Sequence, residues 1–150
     1  MKKIIFLQDF LKEDGVLGGA ELHDQVVIEH FQNIGILYET KRCSQITTDF
    51  IEQNLDKCWF ISNFVTLKNH HKAMLAKKAE YIIYEHDYKF CKNRNPIFFP
   101  DFLAPSNMLC NVNFYRSAKK VICLSKMHRE IFEKNMALKN YENINCSMWS

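Results

Sequence analysis

The first candidate for chemistry in this sequence is a histidine that stands between two acidic residues. His86 follows an apolar run that ends at Tyr84, and Glu85 and Asp87 flank it. A histidine at a strand end can hydrogen-bond a substrate hydroxyl, and a neighbouring carboxylate can fix its tautomer. In an arbitrary protein such a histidine more often hydrogen-bonds a loop carbonyl. Both interpretations stay open at this point.

The second candidate is a pair of glycines, Gly18 and Gly19. They stand between the apolar run at residues 4–7 and an amphipathic segment that begins at Ala20 and that Gly35 ends. Glycines at a helix N-terminus let a ligand approach backbone N–H groups, where the helix dipole favours a phosphate. A tight strand-to-helix connection explains the pair equally well, because neither the GxGxxG nor the P-loop pattern is present.

Alternating strands and helices must position these residues. The apolar and aromatic runs predict strands at residues 4–7, 36–40, 58–62, 81–84 and 121–124, and a short sixth strand at 143–147. Strands that alternate with helices of this length indicate right-handed βαβ crossovers. The sequence therefore predicts an α/β fold: a three-layer, Rossmann-like, doubly wound parallel sheet. We expect strand 4–7 to be central, with strand 81–84 beside it.

The helical segments carry apolar stripes that predict their inner faces. In helix 20–34 the stripe is Val27, Phe31 and Ile34, and Asp24 lies off it. Further helices are predicted at 47–55 and at 67–79, where the polar surroundings of His70 and His71 predict that both are solvated. The last two helices are expected to begin at capping serines. Their predicted caps and inner residues are Ser106 with Met108, Leu109, Val112 and Tyr115, and Ser125 with Met127, Ile131 and Phe132.

Ligands of doubly wound sheets bind outside the carboxyl ends of the strands. The loops that hold the glycine pair, His86 and Ser125 should therefore meet at one rim. Lys89, Lys92 and Arg94 follow His86 in a long loop, and they are placed either to meet an anionic ligand at that rim or simply to be solvated. We expect the glycine pair and His86 to share one pocket, with these basic residues at its mouth.

Composition narrows the class of protein. The chain has 150 residues, 47% hydrophobic and 25% charged, which predicts one folded domain over residues 1–150. The formal net charge of +3 gives no reason to expect nucleic-acid binding. The apolar runs are too short for a membrane span or a signal peptide, so we expect a cytoplasmic protein with at most peripheral membrane contact. Six cysteines without a CxxC pair predict reduced thiols, and no metal-ligand set is apparent.

Three short segments follow one another in order along the chain. Residues 18–21 (GGAE) follow the first strand, and residues 84–87 (YEHD) carry a histidine at a strand end. Residues 117–125 (SAKKVICLS) fit an A-x-x-V-I-x-x-S segment that precedes a helix. The ordered set covers essentially the whole chain, and it resembles family 4 of the retaining glycosyltransferases, whose GT-B fold has two Rossmann-like domains.

The resemblance implies one half of a GT-B architecture: the N-terminal, acceptor-side domain of a metal-independent, retaining enzyme without a cofactor. Such an enzyme transfers a sugar from a nucleotide-sugar donor to a glycan or lipid-linked acceptor, and His86 would contact the transferred sugar. The substrate-binding residues that the resemblance implies are Gly18, Gly19, Ala20, Glu21, Asp87, Lys89, Lys92, Arg94 and Ser125. No donor-binding domain is recognised, so we expect the half to be incomplete or inactive unless a partner chain supplies that domain.

Two other functions remain to be weighed. One is a catalytically silent Rossmann-like module that binds a nucleotide, a glycan or a protein. The other, a nicotinamide-dependent oxidoreductase, is disfavoured because the sequence lacks GxGxxG and a clear ribose-binding acid, although Glu39 lies near the end of the second strand. If a second domain closes over the site, apolar side chains should be exposed there. The candidates are Phe90, Phe98, Phe99 and Phe102.

Overall fold

The structure, a computed structural model, describes residues 1–15, 18–137 and 140–143. Within those residues six parallel strands form one sheet: β1 (Ile4–Gln8), β2 (Leu37–Arg42), β3 (Cys58–Ile61), β4 (Glu80–Tyr84), β5 (Lys120–Cys123) and β6 (Tyr141–Asn143). The α-helices are α1 (Gly19–Asn33), α2 (Thr48–Gln53), α3 (Asn69–Lys78), α4 (Val112–Ser117) and α5 (Lys126–Met136). The predicted α/β class and the doubly wound parallel sheet are confirmed. Of the sixth predicted strand, residues 144–147 lie outside the described residues.

The strand order corrects one prediction. The order is β2-β1-β3-β4-β5-β6, so β1 pairs with β2 and β3, while β4 is separated from β1 by β3. The expectation that strands 4–7 and 81–84 are neighbours is therefore wrong. The crossover after β2 places β3, and not β4, on the other side of β1. The strand order therefore reverses between β1 and β3. In doubly wound sheets ligands bind outside the carboxyl ends of the strands at this reversal.

Helices cover both faces of the sheet unequally. Side chains alternate along each strand, so Ile5, Trp59 and Ile83 face the larger core, to which α2, α3, α4 and α5 also contribute. Phe6 and Phe60 face the smaller core, where α1 packs through Val27, Ile28 and Phe31. The helix α1 therefore lies over β1 and β3, directly above the reversal of strand order.

Three helix residues, Asp24, His71 and Ile34, differ in burial from the expectations drawn from the helical stripes. Asp24 is buried, since it lies three, four and seven residues before the apolar positions of α1 and shares their face. His71 is also buried, because it lies one turn before the core residue Leu75 in α3. Ile34, by contrast, is exposed because α1 ends at Asn33.

Of the two helices that were predicted to begin at a capping serine, only the second does so. Ser125 caps α5 as expected, its Oγ accepting the backbone N–H of His128 at 3.1 Å. Met127 is nevertheless exposed, because the His128 ring takes the inner position. Ser106 begins only a 3-10 turn (Ser106–Met108), and α4 starts later, after Asn111. Asn111 has a φ of 57°, a left-handed conformation that interrupts a continuous helix.

The long loop after β4 buries part of its aromatic content. Phe90 is fully buried, with its ring centroid 4.9 Å from that of Phe132, which corrects its assignment to an exposed surface. Phe98 is exposed, and Phe99 and Phe102 are partly buried against the larger core. In the described part of the chain, no helix combines the length and the hydropathy that a bilayer span requires.

Candidate functional site

A hydrogen-bonded cluster joins three elements at the carboxyl edge of the sheet. Asp24 projects from α1, Ser62 follows β3, and His86 follows β4. The Oδ1 atom of Asp24 accepts a hydrogen bond from Ser62 Oγ at 2.7 Å and lies 2.9 Å from His86 Nε2. With Asp24 as the shared carboxylate acceptor, His86 carries a proton on Nε2. The cluster lies beside the reversal of strand order, where ligand sites of this fold class form.

The packing around His86 limits its movement. Its ring centroid lies 4.5 Å from that of Tyr84 and 5.9 Å from that of His23, both in edge-on contact. Burial lowers the pKa of His23, and the nearby His86 ring lowers it further. The side chain of His86 is 7% exposed, so the imidazole is held in one orientation and presents only a small part of its surface to solvent.

The glycine pair lies at the start of the helix that carries Asp24. Gly18 is the N-cap of α1, and its backbone N–H donates to Glu21 Oε2 at 2.9 Å. A Cβ built on Gly18 lies 2.7 Å from the same oxygen, so the absence of a side chain allows this contact. Both glycines are exposed. Glu21 thus serves the helix end, and it also borders a cavity of about 140 Å³ beside Gln8 and Gln25.

Glu85 forms the centre of a second cluster. It is fully buried, and its carboxylate accepts from Lys89 Nζ and the Tyr115 hydroxyl. The backbone N–H groups of His86 and Asp87 donate to the same carboxylate at 3.2 and 3.1 Å. Burial raises the pKa of Glu85, whereas the Lys89 charge opposes that rise. This cluster fixes the turn that carries His86.

Lys89 is an interior residue, not an exposed one. Its Nζ also donates to Asp87 Oδ1 at 2.8 Å. Burial opposes the charge on this ammonium, but the two carboxylates outweigh burial and raise the pKa of Lys89. The structure therefore places Lys89 within a charge-compensated network, at the wall of the cavity that Lys92 and Arg94 also border.

The helix α5 closes the same edge from the β5 side. His128 Nε2 donates to the Asp87 carbonyl oxygen at 2.7 Å, and its Nδ1 accepts the backbone N–H of Leu124 at 3.3 Å. Burial lowers the pKa of His128, which agrees with a neutral ring that accepts on one side and donates on the other. Ser125 serves as the helix cap. The His128 ring therefore joins the backbone of the loop after β4 to the backbone at the end of β5.

The predicted site residues fall into three groups. His86 and Asp87 lie at the edge with Asp24, and Gly18, Gly19 and Ala20 lie at the start of the α1 helix that carries Asp24. Ser125, Glu21 and Lys89 make the structural contacts described above. Lys92 and Arg94 border a different cavity, together with Lys72.

Two residues of the edge had gone unrecognised in the sequence. Asp24 carried a usable signal, since an acidic residue in register with the apolar face of a helix must find a polar partner. Ser62 carried none, because a serine after a strand is typical of any loop.

No group of three or more His, Cys, Asp or Glu side chains within residues 1–15, 18–137 and 140–143 is arranged to hold a metal ion. Comparisons of the chain with protein-family models, with curated proteins and with solved structures find no match.

Proposed function

We propose that this chain is the acceptor-side domain of a retaining, metal-independent glycosyltransferase that uses a nucleotide-sugar donor. One observation carries the proposal: the 2.9 Å contact between His86 Nε2 and Asp24 Oδ1. It links the strand-end histidine to the helix whose first residues are the glycine pair. In the family that the sequence resembles, these two features face the transferred sugar and the donor diphosphate. Helix N-termini and basic groups stabilise the charge that develops on a departing diphosphate.

The roles within this proposal are distinct. Gly19 offers its backbone N–H to the diphosphate, and Gly18 does so by exchanging the Glu21 carboxylate that its N–H now binds for a phosphate oxygen. His86 hydrogen-bonds the transferred sugar. Asp24 is a positioning residue, because it holds the imidazole through Nε2 and leaves Nδ1 for the substrate. A second domain, in the same polypeptide or in a partner chain, would bind the rest of the donor. The sugar acceptor, a glycan or a lipid-linked molecule, would meet the present domain.

The catalytically silent binding module remains the second candidate, and burial favours it. The side chains of His86 and Asp24 are only 7% and 2% exposed, whereas a residue that contacts a reacting sugar must be reachable. In this alternative the Asp24–His86 contact has only a structural role, which is to hold α1 against the end of β4. The module would bind a nucleotide or a glycan without turnover.

Two substitutions separate these functions in an assay that supplies the donor-binding domain. Release of nucleoside diphosphate and transfer to acceptor are measured with a panel of nucleotide-sugars. Gly19→Val should abolish engagement of the donor, because its side chain would occupy the space of the diphosphate. His86→Ala should reduce transfer more than donor binding, by about 2–4 kcal/mol of transition-state stabilisation, as when one oxyanion donor is deleted. Full activity in both variants would show that the site assignment is wrong.

A further inference from the structure

Two adjoining cavities lie at the carboxyl edge on the face of the larger core, away from α1. Their volumes are about 290 Å³ and about 130 Å³, and Lys72 and Asn111 border both. The walls come from the loop after β3, the long loop after β4, and the first turns of α3 and α4. None of the described residues that line either cavity is acidic.

Lys72 stands at the junction of the two cavities, partly withdrawn from solvent. Its Nζ donates to Asn111 Oδ1 at 3.0 Å and lies 5.4 Å from the centroid of the Phe64 ring. No carboxylate of the described chain forms an ion pair with it. Burial lowers the pKa of Lys72, and Cys110, Cys43 and the Asp9 carboxylate partly oppose that effect. The hydrogen-bond acceptor of this half-buried ammonium is a neutral amide, and a bound anion would offset more of the cost of burying the charge.

The other positively charged side chains that border the smaller cavity differ in how far carboxylates neutralise them. Lys89 is neutralised by Glu85 and Asp87, as described above. Lys92 is exposed and has no ion-pair partner among the described residues. Arg94 approaches Asp87 only at 3.5 Å, and its side chain is 55% exposed, so most of its N–H groups remain available. The two cavities therefore carry at least two positive charges that form no ion pair with a described residue, those of Lys72 and Lys92.

The geometry around Lys72 is fixed in advance of any ligand. Asn111, held at a φ of 57°, donates from Nδ2 to the Lys89 carbonyl oxygen at 2.7 Å. This bond orients the amide so that its Oδ1 faces Lys72. A surface lysine on a flexible loop is usually only solvated, whereas Lys72 is anchored and aimed into a cavity. Preorganised, poorly hydrated cations of this kind suit a phosphate, because charge-assisted hydrogen bonds are the strongest available.

We propose that these cavities bind the phosphate group of a small phosphorylated molecule, held between Lys72, Lys92 and Arg94. The body of that molecule extends into the larger cavity, where the exposed amides of Asn69 and Asn113 meet its hydroxyl groups. The site is built from residues other than Asp24, His86 and the glycine pair. It therefore stands whether or not the chain transfers sugars.

The test is an NMR titration of the full 150-residue chain at low ionic strength. The probes are inorganic phosphate, glucose 6-phosphate and unphosphorylated glucose. We expect saturable shifts of the backbone amides at residues 69, 72, 92 and 111–113 with phosphate and with glucose 6-phosphate. Glucose 6-phosphate should bind more tightly than phosphate, and glucose should cause no shift.

Single lysine-to-glutamine variants show which cation contributes most to the binding of glucose 6-phosphate. Lys72→Gln should weaken glucose 6-phosphate binding about tenfold or more, the loss expected for one charge-assisted hydrogen bond. Lys92→Gln should weaken it less, since that ammonium is already solvated. The matched control is Lys77→Gln, an exposed lysine of the same helix that borders neither cavity. Circular dichroism establishes that each variant is folded.

Three results would overturn the inference. One is the absence of saturable shifts at the cavity amides with both phosphates. Another is an equal loss of affinity in Lys72→Gln and Lys77→Gln, which would mean non-specific attraction to a basic chain. The third is a Lys72→Gln variant that is folded and binds glucose 6-phosphate as tightly as the unmodified protein.

Discussion

Substitution of Lys89 tests directly whether this lysine is structural. The side chains of Lys89 and Glu85 are 2% and 0% exposed. Loss of one partner from a buried ion pair costs about 3–5 kcal/mol, because the other charge remains in the interior without compensation. Glu85 would keep the Tyr115 hydroxyl and two backbone N–H groups. We therefore expect Lys89→Met to lower the free energy of unfolding by about 3 kcal/mol, the lower end of that range.

The pH dependence of this loss follows from Glu85. Burial raises the pKa of its carboxyl, and loss of Lys89 removes the charge that opposes the rise. In the variant the folded state therefore binds a proton at Glu85 more readily than the unfolded chain does. Stability that depends on a raised pKa is present at low pH and lost as pH rises. The destabilisation should be smaller at about pH 5.5 than at about pH 8.

Urea unfolding, followed by circular dichroism, measures these effects. The control Lys92→Met removes an exposed lysine of the same loop and should change the free energy of unfolding by less than about 0.5 kcal/mol. In the Lys89→Met background, Glu85→Gln removes the orphaned charge and should recover about 1 kcal/mol at high pH. A loss in Lys89→Met no larger than that in Lys92→Met would refute the buried pair as a structural element.

Three further predictions concern the same edge and its supports. The free energy of unfolding should fall on acidification from about pH 7.5 to about pH 5.5. Burial lowers the pKa of His23, His71 and His128, so in this pH range the unfolded chain binds more protons than the folded protein. An equal or higher urea midpoint at the lower pH would contradict this. Tyr115→Phe should cost about 1–3 kcal/mol by depriving buried Glu85 of a donor, whereas exposed Tyr38→Phe should be nearly neutral in the same unfolding assay. Gly18→Ala should cost up to about 1 kcal/mol, since its Cβ would displace the Glu21 carboxylate from the Gly18 N–H; calorimetry should show a smaller cost in a Glu21→Ala background, and equal costs would argue against that contact.

Local sequence patterns predicted most of the strands but not their order. The runs at residues 4–7, 58–62 and 121–124 each lie within about one residue of the observed strand ends, because continuous apolar segments bounded by polar ones have few other stable conformations. The order of strands depends instead on where a crossover returns, which no single segment encodes. The wrong expectation that β4 adjoins β1 arose there.

The candidate site was predicted in part. His86 and the glycine pair were identified because strand ends and helix starts have recognisable patterns. The burial of Lys89 was not predicted, because its ion pairs with Glu85 and Asp87 form within a turn whose shape is not apparent from composition. Lys72 was not recognised for a similar reason: its importance depends on Asn111, 39 residues away in the chain.

The proposed function requires that the edge formed by α1 and the end of β4 binds a nucleotide-sugar. An NMR titration of the unmodified chain with UDP-, GDP- and ADP-sugars tests it most directly. We expect saturable shifts of the backbone amides at residues 18–22 and 86 with one of these donors, and loss of those shifts in Gly19→Val. Shifts confined to the Lys72 cavities, or no saturable shift with any donor, would contradict it.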